Sequence, residues 1–170
     1  NAISFSVVSV CGGDKSNAIP NYSEALLVAD KGDALKTLAE EYLGIIKEEI
    51  SDRERNFTYC VEIECNGEYT ALADDSANKL INTLVAVPNG VMDMSASVEG
   101  LVETSLNLGI LATEDNAVNI HISLRSNKSS ALTALEERVA AFFTMQNIES
   151  KVFGKYLPWE YNENSVLRET

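Results

Sequence analysis

The chain has 170 residues, is 45% hydrophobic and carries a net charge of −13 at pH 7. That length allows one domain with a sizeable core, and the apolar content excludes a disordered chain. So acidic a surface repels phosphate backbones, the 13 Lys and Arg are scattered, and no apolar run approaches the roughly 18 residues of a membrane helix, so neither nucleic acid nor membrane is expected as a partner.

The inventory of reactive groups is short. Cys11, Cys60 and Cys65 form no Cys-x-x-Cys pair, and their odd number suits a reducing, cytoplasmic setting. His121 is the single histidine, whereas a zinc site needs three or four converging ligands. No glycine-rich phosphate loop is present. The opening Asn-Ala-Ile-Ser is no signal peptide, and Asn1-Ala2 reads as a tag remnant. The expectation is a binding or assembly domain with no catalytic or metal-binding residue of its own.

In chain order, the β-rich run Ile3–Val10 ends at Gly12-Gly13, and Ala25–Ala29 returns as a second strand. Asp33 is the expected N-cap of a helix reaching about Arg53, with Leu35, Leu38, Tyr42, Ile46 and Ile50 forming one apolar stripe to be buried. Phe57–Cys65 and Glu68–Leu72 alternate around Asn66-Gly67, a strong hairpin signal. Asp74 or Asp75 caps a second helix, which Pro88-Asn89-Gly90 stops. A strand pair spans Val102–Ser126, with Glu103 expected as a surface charge. A third helix, capped within Asn127–Ser130, buries Leu132, Leu135, Val139 and Phe142 or Phe143, and a last strand, Glu149–Leu157, precedes a polar tail.

The fold class expected is α+β: an antiparallel or mixed sheet with helices packed on one face, ferredoxin-like, with a loose twofold echo of two fused halves. The other face stays open. In the strand before the third helix, Val118, Ile120, Ile122 and Leu124 alternate with Asn119, His121, Ser123 and Arg125. Side chains alternate across a strand, so one face is apolar and the other carries amide, imidazole, hydroxyl and guanidinium. A guanidinium there is a natural fork for a carboxylate, although a solvated surface arginine gives the same pattern.

Four segments carry a resemblance. They are Gly12-Gly13-Asp14-Lys15-Ser16-Asn17-Ala18-Ile19-Pro20 followed by Glu24-Ala25, then Pro88-Asn89-Gly90-Val91, then Val102–Gly109, then Leu124-Arg125-Ser126. In this order the chain resembles the aminoacyl-histidine dipeptidases, over essentially its whole length. One departure stands out: the family pattern runs from the proline directly into Arg-Glu-Ala, whereas here Asn21-Tyr22-Ser23 intervenes and the arginine is missing.

The resemblance implies a cytosolic two-zinc metallopeptidase whose catalytic domain, with the His-x-Asp and Glu-Glu ligand motifs, is absent from this chain. Residues 1–157 then correspond to part of the lid or dimerisation domain, and 158–170 to a tail leading back to the catalytic domain. The implied partners are a dipeptide substrate, the catalytic domain of the same chain and a second copy in a homodimer. Carried over by position, Arg125 grips the substrate carboxylate and Asn17 holds another polar group of the substrate. His121 and Asn107 are further candidates for substrate contact, although a half-exposed sheet histidine and an asparagine that only satisfies backbone near Gly109 give the same pattern. The competing expectation is a stand-alone ferredoxin-like interaction or dimerisation module.

Overall fold

A computed structural model describes residues 2–65, 67–114, 117–156 and 158. The elements are β1 (Phe5–Gly12), β2 (Ser23–Ala29), α1 (Gly32–Ile50), α2 (Asp74–Ala86), β3 (Gly90–Met94), β4 (Val102–Glu114), β5 (Ala117–Ser126) and α3 (Ser129–Met145). The fold is α+β, as the sequence implies, with β1, β3 and β5 each antiparallel to β4. The strand order is β2-β1-β4-β3, and β5 lies along β4 as well. The chain divides into two compact units: residues up to Ser9 with Ala25–Ala77, and Val10–Glu24 with everything from Asn78 on.

The second unit is built on the β4–β5 ladder, which pairs Thr104 with Ser126 through to Glu114 with Ala117. Leu106, Val87, Leu135 and Phe143 form its core, with Ile122, Leu124, Val139 and Phe142 packed against them. The apolar face of β5 thus meets the apolar stripe of α3, as the two periodicities require. Leu106 is only 1% exposed, and burial of such a side chain is worth about 1.5–3 kcal/mol. Asp74 and Asp75, expected as the cap of α2, lie inside its first turn instead, where a negative charge complements the helix dipole. The expected side-chain cap within Asn127–Ser130 is not made: Lys128 stands at the N-cap of α3 with extended backbone and no cap bond from its side chain.

In the first unit, Asp30 Oδ1 accepts from Ser4 N–H at 2.9 Å and Lys31 Nζ donates to the carbonyl of Ala2 at 2.8 Å. Here three expectations fail. Asp33 lies in the first turn of α1, one residue inside the helix, and Lys31 occupies the N-cap without a side-chain bond. No residue of α1 is buried, and Tyr42 is 62% exposed. A periodic stripe reports what a helix can bury, not what its own chain supplies to cover it. Neither 57–65 nor 67–72 forms a strand, while Asn66 lies outside the described residues. Any extended backbone turns alternate side chains to opposite sides, so the pattern alone does not guarantee a ladder partner. The same holds for the expected last strand, whose described residues 149–156 form none and whose Leu157 is not described. Conversely, β3 carries no strand signal in the sequence: five residues with two register irregularities, directly after a helix stop, leave little alternation to see.

Candidate functional site: a polar strand face with a docked turn

The register of β4 and β5 decides which polar groups share a face. Ser105 is opposite Arg125, Asn107 opposite Ser123 and Ile110 opposite His121, with one irregularity at Leu108–Ile110 on β4. Strand β5 is regular here, so His121, Ser123 and Arg125 point the same way, with about 6.5–7 Å between successive Cα atoms. The face opposite them on β5, Ile122 and Leu124, is the one packed on the α3 core. The sequence reading of an apolar and a polar side is therefore met at Ile122 and Leu124 on one side and at the exposed His121 and Arg125 on the other.

The opposite edge of β4 is interrupted. It pairs with β3 from Val102 to Leu106 and with β1 at Leu111 and Ala112, leaving 107–110 without a strand partner on that side. Asn89, at the end of the turn before β3, fills part of this notch: its Oδ1 accepts from Leu108 N–H at 2.8 Å. The loop after β1 takes the rest. Asn107 Nδ2 donates to the carbonyl of Ser16 at 2.9 Å and to that of Ala18 at 2.8 Å. Both protons of one amide are thus used on the two carbonyls that flank Asn17.

Gly109 makes the close approach possible. A Cβ there would meet the backbone of Ser16, with the carbonyl carbon and Cα only 2.6 Å away. An isolated glycine inside a strand pattern marks such a contact or a bulge, and Val102–Gly109 carries that signal. Gly13 contributes from the other side: its φ is +66°, open to glycine, and a Cβ on it would strike the carbonyl of Gly109. The residues after Pro20 close this loop. Gly13 N–H donates to the Tyr22 carbonyl at 3.2 Å. Thr113 Oγ1 adds a fixed point beside it, accepting from Val10 N–H at 2.9 Å and donating to Val10 carbonyl at 3.0 Å.

Of the four sequence-predicted residues, two present free heads. Arg125 and Asn17 are exposed, and among the described residues neither the guanidinium nor the amide has a hydrogen-bond or ion-pair partner. An acid does lie close along β4, but Glu103 is buried and engaged by Lys128 Nζ at 2.7 Å, not by Arg125. Glu103 is therefore not the surface charge expected from the sequence; burial with a lysine partner satisfies its charge instead. Beside it an open depression of about 420 Å³ is lined by Ser95, Ser97, Glu103, Asn127 and the start of α3. His121 is partly engaged, its ring edge-on to Phe153 with centroids 6.0 Å apart. The Nδ2 donor of Asn107 is engaged by the loop. Trp159, at the expected exit from the domain, lies outside the described residues.

No three metal-ligating side chains converge among the described residues, and no helix among them is long and apolar enough to cross a membrane. No family model matches the sequence. The known proteins that it resembles are dipeptidases, and the resemblance extends over nearly the whole chain. In sequence, it is 33% identical over 165 residues to the cytosol non-specific dipeptidase of Escherichia coli (strain K12), which covers 94% of this chain and 34% of that protein. In structure, it matches the aminoacylhistidine dipeptidase from Vibrio alginolyticus with a TM-score of 0.85 and 30% identity, covering 97% of this chain and 34% of the other. The resemblance read from the four segments is borne out in sequence and in fold, and the chain spans about a third of the length of the relatives it matches.

Proposed function

We propose that this chain is the lid and dimerisation part of a cytoplasmic, zinc-dependent dipeptidase of the Xaa-His type, and that it grips the substrate while a catalytic domain elsewhere in the same protein performs the hydrolysis. The observation that carries this reading is Arg125: an exposed guanidinium without a partner among the described residues, on the strand face turned away from the α3 core. A free dipeptide ends in a carboxylate, which the planar fork of an arginine matches with two parallel bonds. Asn17, on a loop clamped to β4, offers an amide to a second polar group of the substrate. His121 borders the same face.

The described residues do not fit a zinc pair, since they bring no cluster of metal-ligating side chains together. No metal step is therefore assigned to them. In this reading both zinc ions belong to the remaining two thirds of the enzyme, and the chemistry they supply is activation of the attacking water. The contribution of this chain is orientation: holding the dipeptide by its far end so that its carbonyl meets the catalytic groups.

The test is Arg125→Ala in the complete enzyme, with Gly-His as substrate. A charge-assisted bond of about 1.5–3 kcal/mol corresponds to a loss of roughly 10- to 150-fold in kcat/KM. Unchanged kcat/KM ends the carboxylate-clamp reading. The uncovered stripe of α1, with Tyr42, Ile45 and Ile46 all exposed, supports the proposed homodimer. Sedimentation equilibrium tests it, and a monomer at micromolar concentration overturns it.

A further inference from the structure

We infer that Asn107 is a positioning residue that acts through Asn17 and does not touch substrate. This rests on the proposed contact between Asn17 and the dipeptide. By register Asn107 belongs to the same strand face as Arg125 and Ser123, and the sequence leaves it between a second amide for the substrate and a group that satisfies backbone near Gly109. The geometry takes its donating nitrogen out of the first of these roles. The two Nδ2 protons are spent on the carbonyls of Ser16 and Ala18, at 2.9 and 2.8 Å, and these residues are the immediate neighbours of Asn17 in the chain. Two bonds, one on each side of a residue, fix the backbone that carries it. Asn17's own amide has no partner among the described residues, so among them its backbone is what aims it.

The surroundings support the same assignment. At Gly109, two residues along β4 from Asn107, the backbone of Ser16 lies where a side chain would stand. The loop is therefore seated by a close backbone contact at one place and held by one side chain at another. An amide suits this role because it donates twice from one nitrogen, in a plane, at short reach. Aspartate, of the same size, offers only acceptors to two carbonyls and repels them.

The experiment is a double-mutant cycle in the complete enzyme with Gly-His as substrate. Asn17→Ala and Asn107→Ala are each expected to lower kcat/KM by about tenfold, with the same split between kcat and KM. The double variant is expected to be no worse than either single one, because both remove one interaction. Asn107→Asp is expected to match Asn107→Ala, and Asn107→Gln, which keeps both donors on a longer stem, to recover part of the loss. A readout independent of turnover is limited trypsin cleavage after Lys15, which should speed up in Asn107→Ala and not in Asn17→Ala, with the thermal midpoint of each variant measured alongside.

Losses that multiply in the double variant, or an impaired Asn17→Ala beside an unimpaired Asn107→Ala, overturn the positioning role alone. An unimpaired Asn17→Ala overturns the substrate contact by Asn17, and this inference with it. Arg125→Ala reports separately on the carboxylate clamp, so the failures are distinguishable.

Discussion

The segments 57–72 and 102–126 read alike in the sequence, each as alternating residues around a short polar turn, yet they end differently. In the second, ten residue pairs join β4 to β5, and its apolar side closes on α3. In the first, no strand forms among the described residues, and the clearest attachment is the bond from Leu72 N–H to the Val7 carbonyl at 2.7 Å. The difference lies in what each apolar side meets. Ile122 and Leu124 pack against the core that α3 supplies, whereas Tyr59 and Ile63 remain 39% and 43% exposed. Alternation proposes a strand; a covering layer fixes it. The candidate site stands on the fixed segment, and this suits a group that must hold its aim to within a fraction of an ångström.

The largest effect that separates the two regions is expected at the β4 core. Leu106→Ala should cost about 2–5 kcal/mol, read as a fall in urea midpoint. By contrast Ile63→Ala should cost well under half of that, and equal losses would erase the contrast. Next comes the site itself. Arg125→Lys keeps the charge and loses the fork, so its kcat/KM should fall between wild type and the roughly 10- to 150-fold loss expected for Arg125→Ala. A lysine variant equal to wild type would reduce the clamp to simple charge attraction.

A smaller effect is expected in the open segment. The Cys60 thiol donates to Glu62 at 3.5 Å, and this bond, with the nearby carboxylate charge, raises its pKa above the ordinary thiol value. A raised pKa means less thiolate at any pH below it, so alkylation of Cys60 should be slow near neutrality, rise with pH and be faster in Glu62→Gln. An unchanged rate in that variant removes the contact. The bond from the Tyr69 hydroxyl to Glu64 raises the phenol pKa in the same way, so ionisation of Tyr69, followed by its absorbance, should be shifted to higher pH and return in Glu64→Gln. The smallest effect belongs to α1. With no residue of the helix buried, Ile45→Lys should change stability by no more than about 0.5 kcal/mol while lowering the sedimentation mass of the proposed homodimer.

Much of the architecture is legible in the sequence because local rules and packing agree there. The stripe Leu135, Val139, Phe143 and the alternation of β5 each predict a partner, and each is the other's partner. The stripe of α1 and the alternation of 57–72 obey the same rules without one. Arg125 is legible from its strand parity, and Asn17 only from the resemblance. For Asn107 the sequence suggests that the amide satisfies backbone near Gly109, but not which backbone, because its bonds reach residues 91 and 89 positions away in the chain. Its neighbour Gly109 carries the available hint: a glycine in the middle of a long strand asks what comes close to it. Asn89 gives no such sign, since Pro-Asn-Gly reads as a helix stop whether or not its side chain stands in for a missing strand.

That stand-in has a consequence for how this region can vary. Because β4 is served by two strands with a vacancy between them, the segment seated there is tethered at its middle and is no rung of the ladder. The length of chain on its far side, here Asn21 and Tyr22 before β2, can change without sliding β1 or β2 along their neighbours. The scaffold can thus trade one set of contacts at its rim for another while the pairing that carries Arg125 stays in step.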